Sequence, residues 1–287
     1  MTREHVYLNG EIVPAADAKI SVFDGGFLHG VGLFETMRTY NGVAFRYDAH
    51  IERLTTSAKA LGLPLRDDLS AWKRGLDDLL SANGLRDARV RITYSAGSVR
   101  RPTDVAAEPT VLIVAAPFEP YPSDHYDKGV GVTITDWRQG RHDPLCGHKT
   151  LTYFARLLSL QEAIRRGCSE PIWFTTENLL AEGATSNVFV VKANVVKTPP
   201  LDTPILAGVS RAVAIECATA AKISCQEIPL TVNDLLDADE AFLTSSTREV
   251  MPICRVERKP IADEKPGPIT RKLLALYRQV VARECGG

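Results

Sequence analysis

The chain has 287 residues, with 34 basic and 35 acidic side chains, so its formal net charge is −1. With 24% charged and 45% hydrophobic residues, the composition is globular; it excludes a disordered polyelectrolyte and gives no electrostatic case for general nucleic-acid or anionic-membrane binding. No apolar run nears the roughly 20 residues that cross a bilayer; the best, VLIVAA from Val111, is the size of a strand.

The opening MTREHVYLNGE is charged and has no apolar signal core, so a cytoplasmic address is expected. Asn9-Gly10 in VYLNGEIV and Asn41-Gly42 in MRTYNGVAFRY predict two β-hairpins, because both turn residues must tolerate positive φ. After Asp48, Ile51, Leu54, Ala58 and Leu61 recur at helical spacing until Gly62 and Pro64 stop the pattern. A second helix is predicted over 70–83, burying Trp72, Leu76 and Leu80 and ended by Gly84. Strands follow over 88–94 and 110–116.

The stretch 117–128, PFEPYPSDHYDK, has three prolines and no apolar periodicity, and is expected to be a linker. It divides the chain into domains over 1–116 and 129–287. Beyond it, strands are expected over 130–136, 171–175, 188–191, 226–229, 241–244 and 250–255, and helices over 153–166, 209–221 and 269–283. Such a mixture is α+β or α/β. Six scattered cysteines without a CxxC pair predict free thiols and no metal knuckle.

Three stretches suit chemistry. In LAGVSRAVAIECATAA, a glycine leads into a helix whose first N–H groups have no internal partner and suit a phosphate, with Ser210 adding a hydroxyl; an ordinary capped helix is the alternative. FLTSSTREV ends a strand in four hydroxyl residues, Thr244 to Thr247, which form either an anion site or a polar turn. Lys149 in CGHKTLTYFARLL stands ahead of an apolar helix, where partial burial suits Schiff-base chemistry and solvent exposure is the alternative.

Taken together, GVGLFETMRTYNG, HIERL, GHKTLTYFARLLSLQEA, AEGATSNVFVV, PILAGVSRA and FLTSSTREVMPI resemble, in order and spacing, the class IV pyridoxal-phosphate aminotransferases. That family includes branched-chain and D-amino-acid aminotransferases and aminodeoxychorismate lyase. The resemblance implies the two-domain fold type IV, with a smaller N-terminal α/β domain and a larger C-terminal mixed-sheet or pseudo-barrel domain. It implies pyridoxal 5′-phosphate as cofactor, an amino donor and a keto acid as substrates, and a homodimer.

By the same resemblance, Lys149 carries the cofactor as an aldimine and then acts as the proton-moving base. Glu182 pairs with the pyridine nitrogen, and Leu206 packs on the ring. Arg53, Val209, Ser210, Ser246 and Thr247 hold the phosphate. His29, Phe34, Thr36 and Arg100, or its neighbour Arg101, are the candidate substrate residues. Phe34 stands where D-amino-acid aminotransferases have a tyrosine hydroxyl, and Thr36 matches a threonine of the lyases. Amino transfer to a 2-oxo acid is therefore the expected reaction; the alternatives are aminodeoxychorismate cleavage to 4-aminobenzoate and pyruvate, or a non-catalytic relative.

Overall fold

Two Asn-Gly turns start the architecture. β1 (His5–Leu8) and β2 (Glu11–Pro14) pair antiparallel, with Asn9 at φ 52° and Gly10 at φ 109° between them. After α1 (Gly25–His29), β3 (Gly32–Tyr40) and β4 (Val43–Ala44) repeat the device with Asn41 at φ 54° and Gly42 at φ 88°. Positive φ at both central positions matches the twist of the flanking strands. α2 (Tyr47–Ala60), α3 (Leu69–Ala82), β5 (Ala88–Ser95) and β6 (Thr110–Pro117) complete this part. The computed structural model describes residues 4–65, 69–99, 101 and 108–286.

The first sheet is antiparallel throughout, in the order β2-β1-β6-β5-β3-β4. Helical periodicity delivers the expected faces: Ile51, Leu54 and Ala58 of α2, and Trp72, Leu76 and Leu80 of α3, are buried with Tyr7, Met37, Ile92 and Ile113 from the strands. Removing such apolar surface from water is what holds the helices on the sheet.

The stretch 117–128 holds a short helix, α4 (Ser123–Asp127), and Tyr121 and Tyr126 around it pack on the second core. Then come β7 (Val130–Gln139), α5 (Phe154–Arg165), β8 (Glu170–Thr175), β9 (Leu180–Gly183), β10 (Asn187–Lys192) and β11 (Val195–Thr198). α6 (Val209–Ala220), β12 (Cys225–Glu227), α7 (Val232–Leu236), β13 (Glu240–Ser245), β14 (Glu249–Val256), β15 (Lys259–Pro260) and α8 (Pro268–Glu284) follow.

The second sheet is mixed. β10 pairs β13, β13 pairs β14, β14 pairs β7, β7 pairs β8, β8 pairs β9, and β9 returns to β10. These six strands close on themselves, which removes edge strands from the ring. Val132, Ile172, Val188, Leu243 and Met251, all essentially inaccessible, belong to its core.

The chain divides into two compact units. The first takes Met1–Glu119, His148–Tyr153 and Val281–Gly287; the second takes Pro120–Gly147 and Phe154–Val280. The short return His148–Tyr153 joins the first unit because it pairs with a strand there: Phe34 N donates to Lys149 O at 2.9 Å and Leu151 N to Gly32 O at 2.9 Å. Local composition carries no sign of that exchange. Among the described residues, no helix is long and apolar enough to cross a membrane.

Candidate active site

The first unit carries Lys149. Its backbone is locked by the Phe34 bond, and the neighbouring His148 is tied to α2, with Nδ1 2.9 Å from the buried Ser57 hydroxyl. Lys149 Nζ stands 4.6 Å from the Phe34 ring centroid, and Tyr153 meets that ring edge-on at 5.2 Å. The Arg91 guanidinium lies 3.8 Å from the same ring.

Register explains this meeting. Phe34 is opposite Thr93 and Thr36 is opposite Arg91, so these four residues share one sheet face. Burial, above all, and the nearby Arg89 charge lower the Arg91 pKa. Arg91 escapes sequence reading because an arginine alternating with Arg89 along a strand looks like a solvated charge; burial and pairing to the Phe34 strand are the signals that reveal it.

On the other face, Glu35 is buried and takes two bonds from Arg53, with His50 Nδ1 2.7 Å from Oε2. Arg53 is thus oriented by a carboxylate of its own unit. Thr36 is half-buried, and His29 is exposed at the C-terminal end of α1. Arg100 lies outside the described residues; Arg101 is exposed.

The second unit carries Glu182, Leu206, Val209, Ser210, Ser246 and Thr247. Glu182, next to last in β9, is 5% exposed and takes bonds from four donors. Oε1 accepts from Arg156 Nη2 at 2.8 Å and Gln139 Nε2 at 3.1 Å; Oε2 accepts from Leu206 N at 3.0 Å and Asn187 Nδ2 at 3.4 Å. These donors hold the carboxylate in place, and the longest, from Asn187 at 3.4 Å, is weak enough to give way to a better-placed donor. The burial of this acid is therefore compensated. Sequence spacing gives no sign of Gln139 and Arg156, since neither lies within a few residues of Glu182.

α6 begins at Val209 with Gly208 as its N-cap and no side-chain cap bond, so its first N–H groups remain available to an anion. Ser210 Oγ is 3.0 Å from Tyr277 Oη. Gly208 is required by close approach: a Cβ there would overlap Asn187 Oδ1. Ser246 and Thr247 lie with Arg248 in the loop between the paired residues Ser245 and Glu249. Nearby, the hydroxyl of the buried Thr244 finds no hydrogen-bond partner among the described residues. An uncapped helix start, a glycine cradle and an orphaned hydroxyl beside a hydroxyl-rich loop fit a phosphorylated ligand.

The sequence pattern of the family described as "Amino-transferase class IV" matches residues 32–256. The chain is 34% identical over 281 residues, 96% of each chain, to the "Putative branched-chain-amino-acid aminotransferase" of Methanocaldococcus jannaschii. It is 34% identical over 278 residues to the D-alanine aminotransferase of Staphylococcus aureus, covering 94% of this chain and 95% of that one. Among solved structures, the branched-chain amino acid aminotransferase of T.th. with pyridoxamine 5′-phosphate superposes with a TM-score of 0.92 at 25% identity, covering 97% of this chain and 94% of that one. The chain belongs to the class IV aminotransferase family. It has the two-domain fold type IV and is a pyridoxal-phosphate-dependent transaminase.

Proposed function

We propose that this transaminase moves the amino group of an amino acid or amine to a 2-oxo acid through covalent attachment of the cofactor to Lys149. The observation that carries the reading is Lys149 itself: a lysine fixed by strand pairing to Phe34, its Nζ over the Phe34 ring. A base that must reach one carbon atom is useful only if its backbone does not wander. When bound, pyridoxal 5′-phosphate supplies the carbonyl carbon that receives the amino group and a ring that accepts electron density.

The residues divide the remaining work. Lys149 Nζ, released by the incoming amine, would take the proton from the substrate α-carbon and deliver it to the cofactor carbon that receives the amino group, and would run the same transfer backwards in the opposite half-reaction. Glu182 offers its carboxylate to the ring nitrogen, and Leu206 supports the ring. Val209, Ser210, Ser246 and Thr247 supply N–H and hydroxyl donors to the phosphate, with Arg53 as its cation. Arg91 faces the substrate carboxylate, the task expected at Arg100 from sequence, while Phe34 and Thr36 shape the space beside Lys149.

A homodimer is supported by six exposed apolar side chains within Ile20–Val31, Phe27 being 68% and Val22 67% exposed; a second copy is the partner that would cover them. Cytoplasmic residence is supported by six free cysteines.

The test is a panel of amino donors and 2-oxo acids, both alanine enantiomers, branched-chain amino acids and aminodeoxychorismate among them. Donor consumption should depend on the 2-oxo acid. Release of pyruvate and 4-aminobenzoate from aminodeoxychorismate, without any amino transfer, would replace the proposal with the lyase.

A further inference from the structure

Arg156 takes no part in the steps above, yet its guanidinium is anchored through both Nη atoms and by an indole ring. Nη1 donates to Gly183 O at 2.9 Å and Nη2 to Glu182 Oε1 at 2.8 Å. The Trp173 ring centroid is 4.5 Å from its central carbon. Trp173 Nε1 in turn donates to Ser159 Oγ at 3.1 Å, and Ser159 Oγ donates to Arg156 O at 2.9 Å. This loop of contacts fixes the indole and the guanidinium against each other. The Arg156 and Glu182 side chains are only 18% and 7% exposed, so salt screens their attraction weakly.

The other three donors to Glu182 are Gln139, Asn187 and the Leu206 N–H, all neutral. They help to keep the carboxylate in place. What Arg156 alone contributes is charge: it offsets part of the negative field that Glu182 presents to any cation facing it.

We infer that Arg156 is a positioning residue acting through Glu182, limiting how tightly that carboxylate holds the proton on the cofactor's ring nitrogen. The inference rests on the reading that Glu182 faces that nitrogen. A buried carboxylate with no counter-charge would keep the ring protonated to higher pH. With Arg156 attached, the proton is held less firmly and the electron demand of the ring is moderated.

The neighbouring titratable groups are few. Cys146 lies close enough to feel both Arg156 and Glu182; burial first, then Asp143, push its thiol up to about 11, so it is neutral at neutral pH. Behind the turn that follows Glu182, Glu170 accepts from Thr185 and Ser186 and is paired with Arg248 at 2.8 Å. That pair is internally balanced, whereas Arg156 is the cation bonded to Glu182 itself.

The test uses holoenzyme loaded with pyridoxal 5′-phosphate labelled with nitrogen-15 in the ring, its chemical shift followed against pH. Arg156→Gln, which removes charge but keeps donors, should move ring deprotonation to higher pH by about one unit or more. Arg156→Lys, which keeps the charge, should titrate close to the parent protein, and its thermal melting confirms an intact fold. The inference is overturned if Arg156→Gln titrates at or below the parent, or if both variants shift alike, since a purely architectural arginine predicts that. Glu182→Gln separates the underlying reading: it should lower the ring titration, and an unchanged value means that Glu182 is not the ring's partner.

Discussion

The Arg53 guanidinium lies edge-on to the Glu35 carboxylate, with Nε 2.8 Å from Oε1 and Nη2 2.5 Å from Oε2. The bidentate geometry fixes the plane of the arginine as well as its position. The residue expected to grip the phosphate is therefore set by Glu35, a strand acid inside the GVGLFETMRTYNG stretch to which the resemblance assigns no role. Arg53→Met should leave Glu35 buried without its cation and destabilise the protein by about 3 kcal/mol, read from urea unfolding.

The same cluster predicts an acid-side loss of stability. Burial raises the Glu35 pKa, but the Arg53 charge and the bonds from His50 and Arg53 overcome it and bring the group down to about 2, from 4.5. The unfolded chain then binds more protons than the folded one between these values. Stability present above pH 4.5 is lost as pH falls toward 2. His50, lowered from 6.5 first of all by burial, contributes with the same sign, its share lost as pH falls below 6.5. Glu35→Gln should show a shallower decline in unfolding midpoint on acidification; an identical slope would assign the acid sensitivity elsewhere.

Lys149→Ala should lower turnover by roughly 10²–10⁴-fold, the usual loss when a positioned proton-transfer group is removed. Non-covalent cofactor retention should persist through the phosphate donors of the second unit. Turnover together with cofactor content after dialysis checks both halves of this expectation, and undiminished turnover would remove the central claim.

Gly208→Ala would drive a methyl group into Asn187 Oδ1. Asn187 must then move, taking with it one of the four bonds to Glu182 and altering the approach to the start of α6. Cofactor affinity should fall about 10-fold, the effect of roughly 1–3 kcal/mol of overpacking. Fluorescence titration measures it.

Arg91→Leu should raise KM for carboxylate substrates by about 10-fold or more, because a hydrogen bond to a charged group contributes roughly 1.5–3 kcal/mol. An amine donor lacking a carboxylate should lose far less. Equal losses for both donor types would place Arg91 outside substrate recognition.

Much of the fold is legible in the sequence because its signals are local. The Asn-Gly turns, the helix faces of α2 and α3, and the glycine-led α6 each declare themselves within a dozen or so residues. The closed ring does not, since β14 meets β7 across most of the second unit. Short elements such as α1, β9 and α7 carry too few residues for a period. In the site, the residues to which the resemblance assigns a role are visible, whereas Gln139, Arg156, Arg91 and Glu35, two of them inside matching stretches, act through register and tertiary approach. A charge on a strand cannot announce its partner from sequence alone.

The first unit also takes residues from the far end of the chain. Arg46 forms a bidentate pair with Glu284, Asn41 donates to Gly286 O, and Cys285 is buried. During synthesis, the unit that begins at β1 must wait for these contacts until all of the second unit has been translated. Its folding is thus ordered in time, with the opening residues completed last. A fusion partner attached just after this segment would crowd that final docking step.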